Sequence, residues 1–350
     1  TLRSVDGEGQ AEIRGEGGEN VIEIANDLGV TIDGFNITPG SGGTFGIYFN
    51  GGASTSPVTI TNNTIDGFYL GYGVAAAWDY LSGTTFSFVG NTIMNCTTGV
   101  SVGGFESATV NISENTISDC QYGIVIEGIS TDAPSELRIE NNTITASGPS
   151  DNEGIYIGNA EDSTYVTGNK VEGYFYYGIR IGEIGSDAEQ PPVVYIERNQ
   201  VTGENYGYGL YIDDFLYEFS GPAEVYIRYN TLEGNETGFG VSSYDGAAGS
   251  TVSIVDNNFV GNSVFGFKNL DTVTIDAQGN WWGDASGPYH PSTNPEGLGD
   301  WVTSYVDYGN WRTTAWEEED DSSSGCSAGI LNPLFLLLLA PLGLLLRKSR

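Results

Sequence analysis

One short phrase returns along this chain. An asparagine is entered from an apolar-x-apolar stretch and followed by Thr-Ile or a close variant. It reads ITNNTI at 60–65, FVGNTI at 88–93, ISENTI at 112–117, IENNTI at 139–144 and IRYNTL at 227–232. In register, the asparagines are Asn63, Asn91, Asn115, Asn142, Asn169, Asn199, Asn230, Asn257 and Asn280, at intervals of 28, 24, 27, 27, 30, 31, 27 and 23 residues. A fixed phrase at variable intervals means one structural unit per repeat, with insertions confined to one loop.

Each unit carries two clear extended pieces. One leads into the asparagine, as in VTITNN, VNISEN and VYIERN; the other starts with glycine, as in GVSV at 99, GIVI at 123, GIYI at 154 and GIRI at 178. Apolar residues alternate with period two, so they fall on one face of a strand. No stretch before residue 328 has helical periodicity. Short strands with Gly and Asn turns fit a sandwich, a propeller or a solenoid, but a propeller blade needs about 40 residues and four strands. The expectation is an all-β chain, a single parallel β-helix of about ten coils spanning 1–278.

The asparagine is then a corner residue. Asn tolerates the left-handed backbone that a sharp corner needs. Its amide both donates and accepts, so asparagines stacked about 4.8 Å apart can bond coil to coil as a structural ladder. Cys96 and Cys120 each lie five residues after a ladder asparagine and should stack on adjacent coils. That placement suits either a disulfide, whose Cα atoms lie about 4.4–6.8 Å apart, or a pair of buried thiols.

A solenoid must cover its sheet edges. Five of the six tryptophans fall between 281 and 316, and residues 279–312 read as a Trp-rich C-terminal cap. Residues 313–327 are an acidic, Ser-rich linker ending in a Gly-Cys motif. Residues 328–350 follow as a transmembrane-type helix with a basic end. Ala328 to Leu346 carries no charge and has about the length that crosses a bilayer core. The basic terminus would stay cytoplasmic. The chain opens at Thr1 with neither Met nor an export leader, so the start of the gene product is expected to precede this numbering.

Over about residues 10–312 the chain resembles the right-handed parallel β-helix repeat proteins of prokaryotic cell surfaces, the pectin-lyase-like superfamily with NosD-like relatives. The closing phrase NWWGDASGP…NP.G.GD.V…VDY..W is the more specific part of that resemblance. The tail, SSSGCSAG followed by an apolar stretch and RKSR, resembles GlyGly-CTERM-like sorting signals of the Gly-Cys kind. That resemblance implies cutting near Gly325–Cys326 by an intramembrane sorting protease or transpeptidase. It also implies anchoring in the inner membrane through 328–346 before transfer to the cell surface or outer membrane; an uncut anchor is the alternative.

Composition narrows the chemistry. Lys and Arg number 12 against 46 Asp and Glu, for a net charge of −34. Such a field repels nucleic acid and anionic lipid and suits cations. The one histidine, His290, sits in the cap, which argues against a His-based triad or a zinc site. One Met and one His argue against copper handling, and no phosphate loop is present.

By resemblance, β-helix enzymes mostly cut acidic sugars, with paired carboxylates or with an Arg or Lys base assisted by calcium. The outward middle position of the Gly-strands gives a column Tyr48, Ala75, Ser101, Val125, Tyr156, Arg180, Tyr211, Gly240. Tyr156, Arg180 and Tyr211 form an expected binding platform. Glu183, Asp213 and Asp214, placed just past the strand ends, join Arg180 as catalytic candidates and could instead hold one calcium ion. The primary expectation is a structural, adhesive or carbohydrate-binding surface protein with a polysaccharide or cell-surface partner. A polysaccharide lyase or glycoside hydrolase acting through residues 156–214 is the alternative. No cofactor beyond calcium is implied.

Overall fold

The computed structural model describes residues 1–317 apart from 5–10, 18–19, 26–28, 41, 51–55, 77–80, 130–134, 149–151, 186–190, 217–221 and 247–248. Residues 328–350, Gly325, Cys326 and most of the linker therefore lie outside the described residues. Among the described residues no helix is long and apolar enough to cross a membrane.

The strands wind into a parallel solenoid of ten turns. Three strands per turn build three sheets. The first runs from Leu2–Arg3 to Thr251–Val255, the second from Ala11–Arg14 to Asn258–Val260, and the third from Asn20–Ala25 to Phe265–Asn269. The second-sheet strands are mostly three residues long, such as Thr92–Met94. Pairing is parallel and register follows the repeat: Ile112 pairs with Ile139, Ile117 with Ile144, and Ile124 with Ile155.

The alternation seen in sequence is the burial pattern. In Val193–Glu197, Val194 and Ile196 are buried while Tyr195 faces out. One continuous core of Ile, Val and Phe runs down the axis. Glycine opens the third-sheet strands because the coils touch there. A Cβ on Gly99, Gly123, Gly154 or Gly178 would lie 2.4–2.7 Å from the carbonyl oxygen of the next coil's glycine.

The nine asparagines form an unbroken buried column. Each after the first accepts at Oδ1 the backbone N–H of the asparagine one coil earlier, as in Asn142 to Asn169 and Asn169 to Asn199, both 3.0 Å, and Asn63 accepts that of Phe35. Each amide nitrogen also donates to a strand carbonyl, as Asn142 Nδ2 does to Ile112 at 2.9 Å. The corner's left-handed residue, however, is the one before the ladder asparagine. Asn62, Gly90, Glu114, Asn141, Gly168, Arg198, Tyr229, Asp256 and Gly279 all have φ between 54° and 75°. The ladder asparagine is thus fixed by its amide and not by its backbone. Asn, Asp, Glu, Arg, Tyr and Gly all occupy the left-handed position, at a cost of order 1 kcal/mol for a non-glycine residue.

A second, shorter ladder closes the C-terminal end. Asn235 N–H donates to Asn262 Oδ1 at 3.1 Å, and Asn262 donates through N and Nδ2 to Asp300 Oδ2 at 3.0 and 2.7 Å. Trp282, fully buried, stacks on Phe259 at 4.6 Å with 13° between the planes. Single bridges join Asn258 to Trp281 and Phe267 to Val302, so the last rung's edge is paired and roofed. His290 belongs to this roof: its Nδ1 accepts the N–H of Thr293 at 3.2 Å.

Cys96 and Cys120 are free, buried thiols. Each donates to a backbone carbonyl two residues earlier, Cys96 to Met94 at 3.3 Å and Cys120 to Ser118 at 3.4 Å, and the neighbouring Cys120 together with burial pushes the Cys96 thiol up.

Candidate functional site

The third sheet presents the site. Its outward middle column runs in register from Tyr48 through Ala75, Ser101 and Val125 to Tyr156, then Arg180, Tyr211, Gly240 and Lys268. Small side chains occupy the rungs between two tyrosines. The missing bulk leaves a groove of 370 Å³. Ser101 and Val125 form its floor, Tyr72 and Tyr122 one side, and Tyr156 and Arg180 its far end. Thr98, Glu127 and Glu153 complete the lining.

Arg180 is held on both sides. Its guanidinium donates to Glu153 Oε1 at 3.0 Å and to both oxygens of Asp213 at 2.8 and 3.3 Å. It also lies over the rings of Tyr177 at 4.8 Å and Tyr156 at 5.3 Å. Burial lowers its pKa, but Asp213 and Glu153 outweigh burial and hold it raised. Glu153 is held above the usual carboxylate range by burial, with Arg180 pulling the other way. Burial and the 3.0 Å ion pair to Arg180 act on Glu153 in opposite directions. Burial raises the Tyr156 phenol as well.

Of the residues singled out in the sequence, Tyr156 and Arg180 line the groove, and Tyr211 lies beyond it at 8% exposure. Tyr211 packs at 4.9 Å on Tyr177 and 4.7 Å on Tyr208. Gly240 makes that possible, because a Cβ there would meet both Tyr208 and Tyr211 at 2.7 Å. Glu183 and Asp214 are cross-strand partners in register. They lie inside the strands Tyr177–Ile184 and Tyr208–Phe215, not past their ends. These strands outrun the four-residue phrase because Gly182 and Glu183 both face outward before Ile184 turns in again. Asp213 is taken up by Arg180. Among the described residues no group of three or more His, Cys, Asp or Glu is placed to hold a metal ion.

Sequence reasoning passed over Tyr72, Tyr122, Glu127 and Glu153. The available signal was the gap in bulk at Ala75, Ser101 and Val125. It also passed over a second aromatic array, on the first sheet. Tyr165, Tyr195 and Tyr226 stack at 5.3 and 4.9 Å with planes within 13°. Arg138 closes one end, 4.2 Å over Tyr165, and Arg228 the other, 4.9 Å over Tyr226.

Residues 20–191 match the family model described as "right handed beta helix region". The ten parallel turns carry the same architecture past the matched segment. Over the matched residues the chain is similar to right-handed β-helix repeat proteins, and its fold is a parallel β-solenoid. No curated protein and no solved structure matches the chain. What the β-helix repeats display must therefore be argued from their own side chains.

Proposed function

We propose that this β-helix protein is exported, displayed at the cell surface, and binds polysaccharide along the groove between Tyr72 and Arg180 in a structural or adhesive role. The observation that carries this is the run Ala75, Ser101, Val125 set in register between Tyr48 and Tyr156. It opens a concave, tyrosine-walled strip along the helix axis. Rings and hydroxyls suit a pyranose, which offers apolar C–H faces and hydroxyl edges. Rungs repeat at about 4.8 Å, close to the length of one sugar, so a linear glycan would meet each coil in the same way.

Support for export comes from the tail: an acidic linker, Gly325–Cys326, the uncharged segment 328–346 and the basic end. The net charge of −34 argues against a nucleic-acid role. A glycan array tests binding, with Tyr156→Ala expected to lose the signal. Cell fractionation tests export, with Cys326→Ala expected to stay uncut in the membrane fraction.

One observation favours an enzymatic reading. Glu153, held above the usual carboxylate range by burial, shares the groove with Glu127, and glycoside hydrolysis uses two carboxyls of unequal pKa. Release of reducing ends or unsaturated products from a glycan panel, abolished by Glu153→Gln, would establish it.

A further inference from the structure

We propose that the groove selects glycans bearing free, unacetylated amino sugars, whose ammonium groups pair with Glu127. This rests on the carbohydrate-binding reading of the groove and names the sugar class. The charges lining the groove are Glu127, Glu153 and Arg180. The single cation is spoken for: Arg180 bonds Glu153 at 3.0 Å and Asp213 at 2.8 Å. A polyuronate would find no open guanidinium there and would meet two carboxylates.

Glu127 is the open partner. It is exposed, on the strand Tyr122–Ile129. Among the described residues no lysine or arginine pairs with it. It stands two residues beyond Val125, the cross-strand partner of Tyr156, and lines the same groove as both. A sugar stacked on Tyr156 therefore brings its substituents within reach of Glu127. An N-acetyl group there is neutral, and a carboxylate is repelled. A protonated amine gains a charge-assisted hydrogen bond. The protein's overall field, net −34, adds the same preference at long range.

Titration calorimetry of the protein with tetramers of glucosamine, N-acetylglucosamine and galacturonic acid, in mildly acidic buffer at moderate salt, is the test. The glucosamine tetramer should bind about tenfold tighter than the N-acetylated one, the size of one charge-assisted hydrogen bond. The galacturonate tetramer should bind weakest. Glu127→Gln should erase the amine preference while neutral binding persists. Glu114→Gln, an exposed acid on a coil corner of the same repeat, should leave the preference intact and so separates local pairing from general attraction. Galacturonate binding as tightly as glucosamine would overturn the proposal. So would a preference that survives Glu127→Gln or is lost equally in Glu114→Gln. Neutral tetramer binding as well as glucosamine defeats this inference alone. Binding of none of the three defeats the carbohydrate reading and this inference with it.

Discussion

Asn115 Oδ1 accepts both the backbone N–H and the side-chain amide of Asn91, at 2.9 and 3.1 Å. Asn115 Nδ2 in turn donates to the carbonyl of Phe88 at 2.9 Å and to Asn142 Oδ1 at 2.9 Å. One side chain thus joins its own coil to the coils before and after it. Asn115→Ala orphans the Asn91 N–H and the Phe88 carbonyl, each costing about 1–3 kcal/mol. The expected loss is about 2–5 kcal/mol in urea unfolding. Asn115→Asp keeps the acceptor but buries a charge and drops the donor, so its loss should shrink as pH falls. A loss below about 0.5 kcal/mol for Asn115→Ala would contradict the ladder's role.

The cap is coupled to the coils through Asp300, and that coupling should respond to pH. Burial holds the Asp300 carboxyl above the usual range despite bonds from Asn262 and Gly261. For an acid whose folded value is raised, the protonated form favours the fold. Its contribution is therefore greatest at low pH and falls as pH rises from the ordinary carboxylate value, about 3.9, through the raised folded value. Asp300→Asn does not titrate. The melting temperature of the variant minus that of the wild type should therefore increase with pH across this window. A flat or decreasing difference would count against a buried, raised carboxyl.

Trp282 fills the end of the core. Trp282→Ala should lose about 3–5 kcal/mol and uncover the face of Phe259. Exposing a terminal rung invites strand-to-strand association, so light scattering should show concentration-dependent self-association absent in the wild type. A monomeric variant of unchanged stability would show that Trp282 does not close the core.

Both thiols of the described region are free and buried, at 5% exposure each. Iodoacetamide without reductant should label Cys96 and Cys120 only after unfolding. A mass lower by one disulfide, with neither residue labelled in denaturant, would show the alternative sequence reading to hold.

Much of the fold is legible in the sequence because a solenoid turns long-range contacts into repeated offsets. The Asn91-to-Asn115 interval is the hydrogen-bond partner read directly from the chain. The left-handed corner position is not legible, since Gly90, Glu114, Arg198 and Tyr229 share a backbone angle and no side-chain chemistry. The Asn235–Asn262–Asp300 ladder is hidden because its last member comes from the cap, 38 residues on. The groove is hidden for another reason: it is defined by bulk that Ala75, Ser101 and Val125 lack, and a search for reactive side chains passes over them. Arg180 looked like an open cation because its in-register neighbours are Tyr156 and Tyr211, whereas Glu153 and Asp213 reach it from other positions on the same strands.

The most direct test of the groove is to fill it. Ser101 is half-buried, faces outward on the floor, and carries no core contact of its own. Ser101→Trp should fold with an unchanged melting temperature. Whichever glycan the wild type binds should bind this variant at least about tenfold more weakly in calorimetry, because the ring takes the place of the sugar. Undiminished binding to the plugged variant, or no binding of any glycan to the wild type, would contradict a polysaccharide site between Tyr72 and Arg180.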